Sequence, residues 1–309
     1  MKLSKLLLSG LLFLISVAVS NSQVGQRTDT LLHSWNFSKA NWLKNTVSDR
    51  SKKIKFEAQF LPTFNSSGQF ILSGKHGLFN DSVLPTSLPK NQISAEATVT
   101  INEGQQWGSI MGYAQDNGSY ERGWILGYNE DSFLFWVSTG GSLIQATSRV
   151  KFEIGRKYHV AGTYDGSKVK IYVNGKLSGQ ANAAGPIAYP KKAHYTVGIY
   201  KDDDESYPMK GSVHSAMLHT AAIKPSEILD ISNKLGLTPI KFSVQPSLRF
   251  ISSDEARITW TSSSIKEMSV HYGKSRSLGS IVKAQKMGEQ YFADVPNLQP
   301  DTEYFYKLV

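Results

Sequence analysis

The sequence predicts an all-β protein made of two successive β-sandwiches, and three observations carry that prediction. Short runs rich in Val, Ile, Thr, Tyr, Phe and Trp recur between Gly, Asn, Asp and Ser punctuation along most of the chain. Residues 158–175, reading YHVAGTYDGSKVKIYVNG, place two such runs around Asp165 and Gly166 and close on Asn174 and Gly175. Those residue pairs tolerate positive φ at tight hairpin turns. The length of 309 residues, 40% of them hydrophobic and 19% charged, suits about two domains that each bury a core of their own.

The same composition excludes several classes of function. With no cysteine in the chain, disulfide frameworks, zinc ribbons and thiol nucleophiles are all ruled out. The formal charge of +9 comes from 34 Lys and Arg against 25 Asp and Glu, but the basic residues are scattered rather than gathered into a stripe, so no nucleic-acid partner is expected.

Taken in order, the elements begin with a secretory signal over residues 1–22. Lys2 and Lys5 precede an apolar run at 6–19, and Ala18, Val19, Ser20, Asn21 and Ser22 offer small-residue cleavage sites. The run is shorter than the ~20 residues of a membrane span, so no transmembrane segment is expected after cleavage; an uncleaved anchor is the alternative. A secreted chain without cysteine points to a bacterial exported protein, secreted, periplasmic or on the cell surface. On that reading Asn36, Asn65, Asn80 and Asn117, each two residues before a serine, are discounted as glycosylation sites.

Strands follow at 94–101, 107–114, 123–128, 133–137, 142–148, 195–200 and 211–219, with the meander of 158–175 among them. Within the meander, Val169, Ile171 and Val173 share one face and Lys168, Lys170 and Tyr172 the other, the period of a half-buried strand. One helix interrupts the pattern. Pro225 suits a first helical position, Glu227 favours the dipole of the first turn and Gly236 stops the helix, with Ile228, Ile231 and Leu235 on one face for docking on a sheet. Residues 237–240 read as a linker, and short strands resume over 241–309.

At the meander the residues resemble the laminin-G-like, concanavalin-A-like jelly-roll domains of bacterial exported proteins. The resemblance extends upstream to Leu31, Leu32, His33, Ser34, Trp35, Asn36 and Phe37 as an opening strand, and to residues 93–99, ISAEATV, as the family's "S-x-E-A-x-V" strand. Downstream, residues 211–218 and 222–228 resemble its closing strand and helix. It spans 23–236 and implies two packed antiparallel sheets with loops at the rim, where members bind glycans, proteins or calcium. The chain departs from the pattern at His214, where an acid is usual, and it lacks the cysteine pair of many relatives. A calcium role for the closing strand is thereby put in doubt.

The calcium candidate is instead the run Asp202, Asp203, Asp204 and Glu205, because hard oxygen ligands on a loop suit Ca²⁺; solvated, mutually repelling carboxylates are the alternative. Asp116 and Asn117 with Gly118 are explained as a hairpin turn. No glycosidase pair is found. Concanavalin-like glycanases carry Glu-x-Asp-x-x-Glu on one strand, whereas Glu96 is a single acid without a strand partner and Glu130 with Asp131 falls in a turn. Among the aromatics, Trp124 and Trp136 fit strand cores, which leaves Trp107 and Tyr120 as the candidate ligand contacts.

Residues 255–261, 268–273 and 295–306 alternate as strands of a smaller sandwich. The run from Leu298 through Pro300, Thr302, Tyr304 and Tyr306 resembles a fibronectin-type-III-like hallmark, in which a tyrosine hydroxyl finds a backbone partner at a sandwich corner. Together with "I-T-W-T-S" and "S-V-H-Y-G", it resembles the N-terminal domain of purple acid phosphatases, with ordinary fibronectin modules as the competitor. The family's two-metal site would lie in a metallophosphoesterase domain beyond Val309, since its Asp-x-His, Gly-Asp-x-x-Tyr and Gly-Asn-His-Glu motifs are absent here. The second sandwich reads as truncated over 241–309, because Val309 follows the Tyr-rich strand directly, before the final strand such a sandwich should have. His159 and His271 read as strand residues, and His214 and His219, five apart, read as facing opposite sides of their strand. The expected function is a secreted binding or targeting module for an extracellular glycan or protein, without catalytic residues in this chain, joined to a phosphoesterase. A purely adhesive protein is the alternative.

Overall fold

The computed structural model describes residues 30–118, 120–238, 243–262, 268–275 and 277–308; the signal segment at 1–22 and residues 239–240 of the linker lie outside the described residues. Two packed antiparallel sheets make up the larger sandwich. The eight-stranded sheet runs in the order Lys176–Asn182, Lys168–Val173, Lys157–Tyr164, Ile93–Ile101, Lys210–His219, Phe70–Ser73 and Thr63–Phe64, with Leu31–Asn36 also paired to Lys210–His219. The six-stranded sheet runs Ser142–Lys151, Ser132–Thr139, Tyr120–Asn129, Gly108–Asn117, His194–Val197 and Leu78–Asn80. Between them lies one apolar core that includes Trp35, Val99, Tyr113, Trp124, Phe135 and Tyr195. The sheets approach so closely at Gly162 that a Cβ there would stand 2.1 Å from the Phe135 ring.

The meander forms as its turn chemistry dictates. Asn174 and Gly175 both take positive φ, 48° and 81°, between Lys168–Val173 and Lys176–Asn182. At the other turn Gly166 takes φ 92°, while the Asp165 carboxylate accepts the backbone N–H groups of Ser167 and Lys168. Val169, Ile171 and Val173 are buried in the core as expected, but Tyr172 on the opposite face is buried too, under the helix with Ala161, Ile223 and Ile228.

Three of the four Asn-x-Ser sites turn out to be Asx turns. The side-chain oxygens of Asn36, Asn65 and Asn80 accept the N–H of Ser38, Ser67 and Ser82 at 2.9, 3.0 and 2.7 Å. The helix spans Pro225–Lys234, with Glu227 accepting the Lys224 N–H at 2.8 Å and Gly236 at φ 67° beyond its end. Of the expected face, Ile228 is buried against the sheet and Ile231 is half-buried, and only Leu235 departs. Ser232 is buried beside Ile228, where its hydroxyl meets His159 on the sheet, whereas Leu235 is exposed.

A second core is formed by Ile258, Trp260, Val270, Tyr291, Ala293 and Val295. It lies between a four-stranded sheet, Val244–Phe250, Ala256–Thr261, Gln290–Val295 and Gln285–Met287, and a three-stranded one, Ser280–Lys283, Ser269–Gly273 and Phe305–Leu308. Trp260 stacks on Tyr291 at 5.9 Å, and Arg257 donates two 2.6 Å hydrogen bonds to Asp294 across the strands. The Tyr304 hydroxyl accepts the Gln299 N–H at 3.2 Å, an exposed contact within the same turn.

Candidate functional site

The outward face of the six-stranded sheet carries a cleft. Strand register places Gln145, Trp136, Ile125 and Gly112 in one row across four neighbouring strands. Ala114, Leu134 and Tyr200 join Ile125 and Trp136 in an apolar cluster of their own, separate from the inter-sheet core, with Leu143 and Tyr207 packed against it. Over this floor opens a cleft of about 560 Å³, walled by Trp107, Gln145, Asp116, Asn117, Asp204 and Glu205.

Trp107 stands at the edge of this cleft and is 52% exposed, an apolar plane offered to a ligand. Tyr120 is 41% exposed but is not brought there; its ring lies under the Arg122 guanidinium at 4.7 Å. Trp136, read from the sequence as a strand-core packing residue, is buried as such, in the apolar cluster of the outward face. It belongs to the floor of the cleft and not to the inter-sheet core, which Phe135 and Val137 enter from the opposite face. All eight residues of Ser132–Thr139 are buried, so no alternation of polarity marked which side Trp136 would take.

The acidic run divides. It caps a hairpin of Ile199–Lys201 with Ser206–Pro208. Asp202, 1% exposed, turns inward, where its carboxylate accepts the Tyr200 hydroxyl at 2.9 Å and the N–H groups of Asp204 and Glu205 at 3.2 and 2.8 Å. Burial, then that carboxylate, raises the pKa of the Tyr200 hydroxyl far above its ordinary range. Asp203 is exposed, whereas Asp204 and Glu205 reach the cleft, Asp204 accepting the Asn117 amide at 3.0 Å. Both oxygens of Asp202 are committed to the turn, and among the described residues no three carboxylates or imidazoles gather as a metal site. Asp116 lies opposite Glu121 in register; burial, then the charges of Glu121, Asp202, Glu205 and Asp204, raise its pKa.

A second polar constellation lies on the outward face of the eight-stranded sheet, and sequence reasoning missed it. Glu96, read as an acid without a strand partner, sits between two histidines, with its oxygens 2.8 Å from His219 Nε2 and 3.2 Å from His159 Nε2. His159 Nδ1 meets the Ser232 hydroxyl at 2.7 Å. Serine, histidine and glutamate in a chain are the residue types of a nucleophile, its base and an orienting acid. None of Ser232, His159, Glu96 and His219 exceeds 1% exposure, so no substrate reaches the hydroxyl, and the chain instead ties the helix to the sheet.

The reading of His214 and His219 on opposite faces is also corrected. A β-bulge between Val213 and Ser215 inserts one residue and shifts the parity of the strand. His214 therefore meets Thr100 at 3.0 Å and His219 meets Glu96, both on the same face of Ile93–Ile101. They hold different partners four residues apart and share no ligand. His214 also pairs with Gln69; burial, with Lys157 nearby, lowers its pKa to about 4.

Comparison with known proteins places this architecture. The family profile described as the concanavalin A-like lectin/glucanases superfamily matches residues 74–229, just over half of the chain. No curated protein sequence matches the chain. Among solved structures, it is similar to domain 4 of AbnA, a GH43 extracellular arabinanase from Geobacillus stearothermophilus, in complex with arabinotriose. That match has 18% identity and a TM-score of 0.52, covering 66% of this chain and 99% of that one. It is also similar to the binding domain of botulinum neurotoxin DC in complex with SialylT, at 13% identity and TM-score 0.50, over 91% of this chain and 85% of that one. A mutant of Trypanosoma rangeli sialidase displaying trans-sialidase activity matches at 14% identity and TM-score 0.50 over 68% of this chain, but the match spans only 34% of the sialidase.

Proposed function

The chain belongs to the concanavalin A-like lectin/glucanases superfamily, and from that premise we propose that it is an extracellular glycan-binding module whose ligand lies in the cleft on the six-stranded sheet. The observation that carries the reading is the pairing of an apolar floor at Ile125, Leu134 and Trp136 with the exposed plane of Trp107 beside it. A pyranose or furanose ring has an apolar face that stacks on such a plane and hydroxyls that pair with groups such as Gln145, Asn117 and Asp116. The complex of the arabinanase domain with arabinotriose is consistent with that use of the fold. Export is part of the proposal: it rests on the signal-like residues 1–22. No helix among the described residues is long and apolar enough to cross a membrane.

Affinity electrophoresis of the full chain through gels containing soluble polysaccharides tests the reading. Retardation by at least one polysaccharide, abolished by Trp107→Ala, is the expected result. Retardation unchanged in that variant would refute the assignment of the cleft.

The finer proposal joins this module to a purple-acid-phosphatase-like metallophosphoesterase. Its support is the resemblance of residues 241–309. The coding sequence beyond Val309 decides between that arrangement and a purely adhesive protein: Asp-x-His and Gly-Asn-His-Glu motifs favour the first, further sandwich repeats the second.

A further inference from the structure

Charge selects among the glycans that the cleft could hold, and this inference rests on the glycan-binding reading. Among the described residues, three carboxylates, those of Asp116, Asp204 and Glu205, line the cleft, and neither lysine nor arginine does. The imbalance runs against the molecule as a whole, which carries a formal charge of +9. No lysine or arginine among the described residues forms an ion pair with any of the three; Asp204 is held only by the neutral Asn117 amide. Glu121 lies directly across from Asp116 and adds a fourth negative charge at the same end of the sheet.

The floor points the same way. Trp107, Trp136 and Tyr200 line the same cleft, and aromatic faces attract cations and not anions. Trp136, 6% exposed, lies in the floor of the cleft beside Ile125 and Leu134. Acids at one end and aromatic planes beside them suit a sugar that presents an apolar ring face and an ammonium group.

We propose that the cleft selects amino sugars with free amines, such as glucosamine residues of a partly or wholly deacetylated polymer, and rejects carboxylate-bearing sugars. The carboxylates pair with the ligand ammonium, and the same charges repel a uronate or sialic acid. The elevated pKa of Asp116 accords with a site whose acids lack cationic partners until ligand arrives.

The test compares four probes by isothermal titration calorimetry on the full chain: β-1,4-glucosamine oligomers, their N-acetylated counterparts, galacturonate oligomers and oligolysine. Exposed ion pairs are individually weak, so the three carboxylates together should favour glucosamine over N-acetylglucosamine by about tenfold at low salt, with no binding of galacturonate. The preference should shrink towards unity in Asp116→Asn with Glu205→Gln, and at high salt, while circular dichroism confirms the fold. Equal binding of all three saccharides, abolished by Trp107→Ala, would overturn the charge inference and leave the glycan reading intact. Binding of no saccharide would overturn both. Oligolysine binding as tightly as glucosamine, with the same dependence on Trp107, would overturn the amino-sugar assignment in favour of a basic peptide.

Discussion

Ser232→Ala separates two physical accounts of the helix by the sign of its effect. If the helix Pro225–Lys234 were held only by apolar docking and propensity, alanine would stabilise it by a few tenths of a kcal/mol, since alanine is the better helix former. The structure predicts the opposite. The Ser232 hydroxyl is the partner, at 2.7 Å, of His159 Nδ1, and neither residue has access to water. Removing it strands a buried imidazole nitrogen, at a cost of about 1 to 3 kcal/mol. Subtracting the propensity gain leaves a net loss of about 0.5 to 2.5 kcal/mol, a fall in Tm of roughly 1 to 10 °C for a unit of this size. Urea denaturation followed by tryptophan fluorescence, with calorimetry alongside, measures both quantities. A second arm uses Glu96→Gln. Because His159 joins Ser232 to Glu96, the double variant should depart from additivity by at least about 0.5 kcal/mol. A neutral or stabilising Ser232→Ala, or strict additivity with Glu96→Gln, would refute the polar tie between helix and sheet.

Two further outcomes follow from named groups. His214 is neutral in the fold with a pKa lowered to about 4, whereas the unfolded chain takes up that proton near pH 6.5, so stability should be lost as pH falls through that interval. The loss amounts to about 2 to 3 kcal/mol, and His214→Gln should flatten the dependence; an unchanged pH profile in that variant would count against the assignment. Millimolar Ca²⁺ should leave the melting temperature unchanged, because Asp202 is committed to its own turn and Asp203 is exposed; a clear rise would restore the acidic run 202–205 as a calcium site.

Much of the fold was legible because it is specified locally. The turns at Gly166, Asn174 and Gly175, the opening strand around Trp35 and the helix start at Pro225 each depend on residues within a few positions of one another. The candidate site was legible only in part. Trp107 stood out as an aromatic beside a polar turn, but Trp136 sits in a strand buried on both faces, where the period-two signal vanishes. Tyr120 carried the same local signal as Trp107 and is instead taken up by Arg122.

The sequence by itself determined where the chain turns, where strands alternate and that no cysteine chemistry is available, because backbone conformation at Gly, Asn and Pro and the pleat of a strand are short-range properties. Only the tertiary structure decided which groups meet. Glu96 lies between His159 and His219 because two other strands flank its own, and one bulged residue after Val213 reverses the face that counting assigns to His219. The cleft draws Trp107, Trp136 and Glu205 to one surface for the same reason: strand order and register, not sequence distance, set their neighbours.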